Sequence, residues 1–206
     1  MYTKKSIYFR KKIMTNIKII LGSTRDNRLG EKIFNWVMEE ASKNPNINVE
    51  GIDLKNYDIP FFNLDMNPAY MDNPGYNENQ KKLSEKIDEA DGFIFVMPEY
   101  NHGYTGVLKN MIDTFYNEWR LKPATFVSYG GLSGGIRAVE QLRLVLIELQ
   151  MVPIRSSVHI PLVFTQIDDK GLIKKETKEA ANLDTTIEEL EWWAKTLKEP
   201  RTNKLK

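Results

Sequence analysis

The 206-residue chain contains no cysteine and only two histidines. The first absence excludes disulfides, thiolate catalysis and cysteine-held iron–sulfur clusters. The second leaves His102 and His159, too few for a convincing metal site, so no metal is expected. No apolar stretch approaches the ~20 residues that a membrane helix requires, and no membrane partner is expected. Charge of one sign is also scarce. Lys and Arg total 29 against 28 Asp and Glu, a formal net charge of +1. A dedicated nucleic-acid binder usually shows a basic excess, so nucleic acid is not an expected partner. The balance is uneven, however. Residues 1–13 hold five basic groups (Lys4, Lys5, Arg10, Lys11, Lys12) and no acidic ones; taking those five from +1 leaves −4 for the rest. This leader has no apolar run of signal-peptide length. Residues 1–14 are expected to be an unstructured basic extension, or the result of a start upstream of Met14; a mitochondrial leader is the weaker alternative. The expectation is a cytoplasmic protein with one domain over 15–200 and a loose tail over 201–206.

What is present is an alternation of strand and helix signals. Ile17–Leu21, Asn48–Leu54, Gly92–Met97, Ala124–Ser128 and Val152–Val158 read as strands. The run at 92–97 is apolar without a break, as in a strand covered on both faces. Helical spacing recurs after Gly30, over Glu78–Ala90, Val107–Tyr116 and Ile136–Leu149, and over Thr177–Leu197. Such alternation predicts a mainly parallel five-stranded sheet with right-handed crossovers and helices on both faces. Ligands in sheets of this kind bind beyond the carboxyl ends of the strands. The three most unusual loops, 22–30, 98–106 and 129–135, each follow a strand, so they should meet at one edge.

The first loop, Gly22-Ser23-Thr24-Arg25-Asp26-Asn27-Arg28-Leu29-Gly30, is the most informative. Ser23 and Thr24 offer hydroxyls, and the free amides of a helix start favour an anion. Arg25 and Arg28 add forked donors that match phosphate oxygens. The turn is neither a Walker loop nor a Gly-x-Gly-x-x-Gly fingerprint; it suggests a phosphate monoester. A capped helix start with two solvated arginines is the plainer alternative. The second loop, Pro98-Glu99-Tyr100-Asn101-His102-Gly103-Tyr104-Thr105-Gly106, and the third, Tyr129–Gly135, are rich in accessible amides. Two such loops beside a phosphate turn suit a planar, polar ring with a charged end. FMN has that shape, and amides aimed at its N1 and O2 favour its reduced form.

Gly-Ser-Thr-Arg after the first strand, Pro-Glu-Tyr-Asn after the third, and Gly106-Val-Leu-Lys-Asn110-Met-Ile-Asp113 resemble the NADPH-dependent FMN reductase family, which implies the flavodoxin-like three-layer α/β/α fold with strand order 2-1-3-4-5. Lys122-Pro123, the 128–135 loop and Ala138…Leu142-Arg143 continue the resemblance, which spans about Ile17 to Pro161. It implies that Ser23, Thr24, Arg25, Arg28 and Gly30 serve the FMN phosphate end. Pro98, Glu99, Tyr100, Asn101 and His102 would line the flavin ring, largely through backbone groups, and Ser128, Gly130 and Gly131 would close its other side. It also implies NADPH or NADH as electron donor, a small acceptor such as a quinone, azo compound, free flavin or metal oxyanion, and a homodimer or dimer of dimers. Hydride transfer to flavin needs little side-chain acid–base chemistry, so no catalytic residue is assigned, and a double-displacement rate law is expected. Many members carry Trp soon after the Ile-Asp pair, where this chain has Phe115-Tyr116-Asn117-Glu118-Trp119. The long loop from Asn63 to Asn77 is a candidate lid or partner contact.

Two other readings stay open at this stage. Gly131-Leu132-Ser133-Gly134-Gly135 matches a Gly-x-Ser-x-Gly nucleophile elbow. Only His159 and two helix-borne glutamates, Glu140 and Glu148, are placed to partner Ser133. A non-enzymatic flavodoxin-like electron carrier or regulatory flavoprotein is the second alternative.

Overall fold

The computed structural model describes residues 14–71, 74–168, 173–174 and 177–204. The basic segment 1–13 lies outside the described residues, as do residues 205 and 206 of the expected tail.

The elements run β1 (Thr15–Leu21), α1 (Gly30–Ser42), β2 (Ile47–Asp53), α2 (Glu78–Asp88), β3 (Gly92–Pro98), α3 (Gly106–Thr114), β4 (Pro123–Tyr129), α4 (Ile136–Glu148), β5 (Val152–Pro153), β6 (Val158–Ile160), α5 (Val163–Gln166) and α6 (Lys178–Lys204). All sheet pairings are parallel, in the order β2-β1-β3-β4-β5, with β6 also on β4. The sequence-based strand order is therefore the observed one. The two-residue period of the strands sorts side chains onto opposite faces. Ile20, Phe93, Phe95, Met97 and Phe126 pack under α2, α3 and α4; Ile17, Ile19, Leu21, Ile94, Val96 and Val127 pack under α1 and α6. Trp119 is fully buried against Phe93, ring centroids 4.9 Å apart, so it is core and no wall of a ligand site.

Two expectations need correction. The fifth strand is interrupted: Val152–Pro153 pairs with Pro123–Ala124, and Val158–Ile160 pairs with Val127–Tyr129. Proline lacks a ladder donor, and Arg143 of α4 draws the carbonyls of Pro153, Ile154 and Arg155 towards itself. Residues 154–157 lie outside the ladder before pairing resumes at Val158. The last helix also continues past Leu197 to Lys204, where a loose tail was expected. Asp91 explains this. Its buried carboxylate accepts from Lys198 Nζ and Arg201 Nη2, both at 2.6 Å, and from the Asn16 amide at 2.9 Å. Burying such a carboxylate is tolerable only with partners of this kind, and two of them lie on the last turns of α6.

Candidate functional site

The loops after β1, β3 and β4 do converge at the carboxyl edge of the sheet. Gly22 starts the first. A Cβ there would lie 3.2 Å from Leu108 Cδ2, so a side chain would crowd α3. Thr105 donates to the Gly22 carbonyl (2.6 Å) and accepts from the Leu108 amide, tying the first loop to the capped start of α3. Ser23 Oγ lies 3.3 Å from Tyr100 Oη, which joins the first loop to the second. Glu99 N–H donates to the Tyr129 carbonyl at 3.3 Å, joining the second to the third.

Unspent donors are concentrated here. Among the described residues, the amides of Ser23 to Asn27, of Asn101 and His102, and of Gly131 to Ser133 donate to no backbone carbonyl. Polar backbone groups seek partners, so an edge lined with unpaired N–H groups fits a ligand carrying phosphate and ring acceptors. Thr24 and Arg25 are exposed. Arg25 has no carboxylate partner among the described residues, and its Cζ stands 5.9 Å from the Tyr100 ring centroid. It is a cation positioned over the turn with its fork available.

The two arginines are not equivalent, although the sequence presents them alike. The Arg28 side chain is 6% exposed. Its guanidinium grips the Asp53 carboxylate at the end of β2 and the Ser23 carbonyl. It shapes the turn from behind. Gly30 likewise serves packing: a Cβ there would come within 2.1 Å of Tyr129 Oη, so this position accommodates the tyrosine ring under the turn. Tyr129 was not among the residues singled out from sequence. Burial, and then the neighbouring Tyr100 hydroxyl, raise its pKa, so it stays a neutral hydroxyl beneath Ser23, Arg25 and Arg28.

In the second loop, Pro98 is buried and ends β3. Tyr100 and Gly103 exchange backbone hydrogen bonds of 2.9 and 3.0 Å, closing a tight turn. Asn101 and His102 form its tip with φ of 49° and 70°. Asparagine and histidine enter that region more readily than most side chains, and such conformations cluster at ligand sites. The turn holds two amides outward. Glu99 was expected to act through its backbone, yet its carboxylate is the main clip between loops. It accepts from the Arg137 amide (3.1 Å), from Arg137 Nη1 (2.9 Å) and from Ser133 Oγ (3.3 Å). Burial alone would raise its pKa; the Arg137 hydrogen bonds outweigh that and hold it below the ordinary 4.5. The carboxylate thus caps the positive end of α4.

In the third loop, Gly130 has room around its Cα and Gly131 faces open space, so both let a flat ligand approach. Ser128 is different. It is fully buried, and its hydroxyl is bonded inward to the Gly134 carbonyl and to His159 Nδ1, both at 2.7 Å. It supports the loop without facing a ligand. The same pairing removes the hydrolase alternative: His159 is bonded to Ser128 and Ser157, while Ser133 faces Glu99.

Fold and site together define a flavodoxin-like protein with a phosphate turn and two amide-rich loops at one sheet edge. Comparison with known proteins agrees. The sequence profile of the NADPH-dependent FMN reductases matches residues 15–165. An NAD(P)H-dependent FMN reductase of Schizosaccharomyces pombe is 40% identical over 124 residues, covering 60% of this chain and 62% of that protein, so this match spans less than two thirds of the relative. A protein of the same description from Nectria sp. is 32% identical over 204 residues, 91% of this chain and all of that one. The flavoenzyme NAD(P)H:(acceptor) oxidoreductase of Paracoccus denitrificans has the same fold, with a TM-score of 0.72, 23% identity and coverage of 89% of this chain and 98% of that one. The chain belongs to the NADPH-dependent FMN reductase family. It is an oxidoreductase of the flavin class, with FMN as cofactor and a reduced nicotinamide nucleotide as donor.

Proposed function

We propose that this edge holds FMN with its phosphate in the turn after β1 and its ring across the loops after β3 and β4. The observation that carries the reading is the concentration of unpaired amides on three joined loops, with Arg25 free above them. Bound FMN supplies two-electron chemistry, taking hydride from the nicotinamide and passing the electrons to an acceptor. The chain supplies position. Ser23, Thr24 and Arg25 take the phosphate oxygens, while Arg28 and Gly30 shape their turn. Asn101, His102 and Gly131 meet ring acceptors through their backbone amides, Gly130 leaves room for the ring, and Glu99 and Ser128 brace the loops. No side chain is needed as an acid or base. The acceptor is a small oxidised molecule that can stack on a ring, such as a quinone or an azo compound. The non-enzymatic carrier is the weaker reading, because the family is one of reductases.

The functional unit we propose is a dimer. Leu132, Ile136, Leu144 and Ile147 are exposed along one stripe of α4 and the loop before it. Large apolar side chains exposed on one helix face, with Glu140 between Ile136 and Leu144, support an interface there, and that face adjoins the flavin loop. Location in the cytoplasm completes the reading and is tested by cell fractionation.

The deciding experiment adds FMN to the purified protein, removes excess by gel filtration and records the spectrum. Flavin absorption co-eluting with protein that oxidises NADPH or NADH in the presence of a quinone supports the assignment. Protein that elutes colourless overturns it.

A further inference from the structure

We infer that His159 is a positioning residue for the flavin loop, acting through a one-way chain of hydrogen bonds that ends on the Gly134–Gly135 peptide. This inference rests on the flavin reading above.

The register places the residues. Ser128 of β4 and His159 of β6 are direct partners in the parallel ladder, so their side chains lie together. Ser128 has one hydroxyl hydrogen, and it goes to the Gly134 carbonyl at 2.7 Å. The 2.7 Å contact between Ser128 Oγ and His159 Nδ1 must then have the imidazole as donor. That fixes the tautomer, and Nε2 becomes an acceptor. Ser157 Oγ, 2.9 Å away, supplies the hydrogen. Behind it, Arg143 Nη2 donates to Ser157 Oγ at 3.4 Å. Four donors in succession therefore point the same way, from a guanidinium to a carbonyl: Arg143, Ser157, His159, Ser128. Burial first, and the Arg143 charge second, lower the histidine pKa, which keeps the ring neutral as the chain requires. Hydrogen bonds in such a series polarise one another.

The receiving end matters for the site. Gly134 and Gly135 have φ of 60° and 84°. Little else can stand there: a Cβ on Gly134 would lie 2.9 Å from Pro161 N, and one on Gly135 2.8 Å from Ser128 Cβ. The Gly134 carbonyl and the Gly135 amide belong to one rigid plane. In that plane carbonyl and N–H point opposite ways, so holding the carbonyl against Ser128 turns the Gly135 N–H away from Ser128; Gly130 lies close by, since a Cβ on it would stand 3.5 Å from Gly135 N. The other arm of the loop is held by the same segment, since Gly130 N–H donates to the Ile160 carbonyl (3.3 Å) and Leu162 N–H to the Gly131 carbonyl (2.9 Å). His159 thereby sets the direction and polarity of amides that face the electron-rich edge of the reduced flavin. It touches no reacting atom.

The test compares His159→Leu, His159→Asn and Ser128→Ala with the wild type. The Asn side chain keeps an N–H near the Nδ1 position, and Leu keeps only bulk. We expect faster amide exchange over residues 131–136 in the flavin-free His159→Leu protein. FMN binding should weaken about tenfold, consistent with one lost buried hydrogen bond and the misalignment it causes. The flavin potential should become more negative. Ser128→Ala should match His159→Leu, the double variant should add little to either, and His159→Asn should recover much of the difference. Folded His159→Leu protein with wild-type loop exchange, FMN affinity and potential overturns the inference while leaving the flavin reading intact. So does His159→Asn behaving like His159→Leu. Wild-type protein that binds no FMN fails the underlying reading, and this inference with it.

Discussion

Removing the charge of Glu99 should loosen the joint between the second and third loops. Glu99→Gln keeps the shape and the hydrogen-bonding capacity of one oxygen. It removes the negative charge that faces the α4 amide, Arg137 Nη1 and Ser133 Oγ. The magnitude follows from exposure. Arg137 is half exposed, its side chain 50% accessible, so the ion pair itself contributes roughly 0–1 kcal/mol. The carboxylate is only 9% accessible and sits on the α4 amide; a charge at such a partly buried helix end contributes about 1–2 kcal/mol. The expected loss is about 2 kcal/mol. For a domain of this size that lowers Tm by about 4–8 °C. Thermal unfolding of flavin-free protein, followed by circular dichroism at pH 7, reads this directly. Arg137→Ala leaves the backbone amide in place and should cost less than half as much. The pH dependence has a definite sign. The folded pKa lies below 4.5, so the Glu99 contribution is fully present above that value and is lost as pH falls through the folded pKa. Wild type and Glu99→Gln should therefore converge in stability as the pH falls through and below the folded pKa. A Glu99→Gln protein melting within 1 °C of wild type at pH 7, or Arg137→Ala costing as much as Glu99→Gln, would refute the helix-end argument.

Gly30→Ala should destabilise by about 1–3 kcal/mol through overpacking, because its Cβ would meet Tyr129 Oη at 2.1 Å. Adding Tyr129→Phe should recover part of that loss in denaturant titration, and additive effects would count against the contact. Lys122 Nζ caps α2 by donating to the carbonyls of Ile87 and Asp88 at 2.8 and 2.7 Å. Lys122→Met, which orphans both, should cost about 1–3 kcal/mol at pH 7. Burial lowers the lysine pKa from 10.5 to about 8. The unfolded chain thus holds more protons between those values, and wild type should gain stability over Lys122→Met as pH rises from 8 towards 10; a flat difference would exclude it. Leu144→Glu should halve the molecular mass measured by light scattering if the α4 stripe joins two copies, and an unchanged mass would place the interface elsewhere.

Much of this architecture was legible because it is local. Both helical layers and the meeting of three loops follow from period, glycine and proline placement, and the carboxyl-edge rule, while the strand order comes with the family resemblance. The misread features have partners far away in sequence. Arg28 and Arg25 sit three residues apart in one polar turn, and only the fold brings Asp53 to one of them. Ser128 looked like a loop donor until the β4–β6 register set His159 beside it. Glu99 looked like a backbone contributor until α4 brought its first amides to the carboxylate. The helical end of the chain depends on Asp91, about a hundred residues earlier. Tyr129 carried one usable signal: it closes a strand immediately before the glycine-rich loop.

The most direct test of the account is the affinity of the protein for FMN against riboflavin, which lacks only the phosphate, in wild type and Arg25→Ala. A charge-assisted phosphate contact contributes about 1.5–3 kcal/mol, so wild type should prefer FMN by about tenfold or more, and Arg25→Ala should lose most of that preference while its riboflavin affinity holds. Equal binding of the two flavins by wild type, or an undiminished preference in Arg25→Ala, would contradict the placement of the phosphate in the turn after β1.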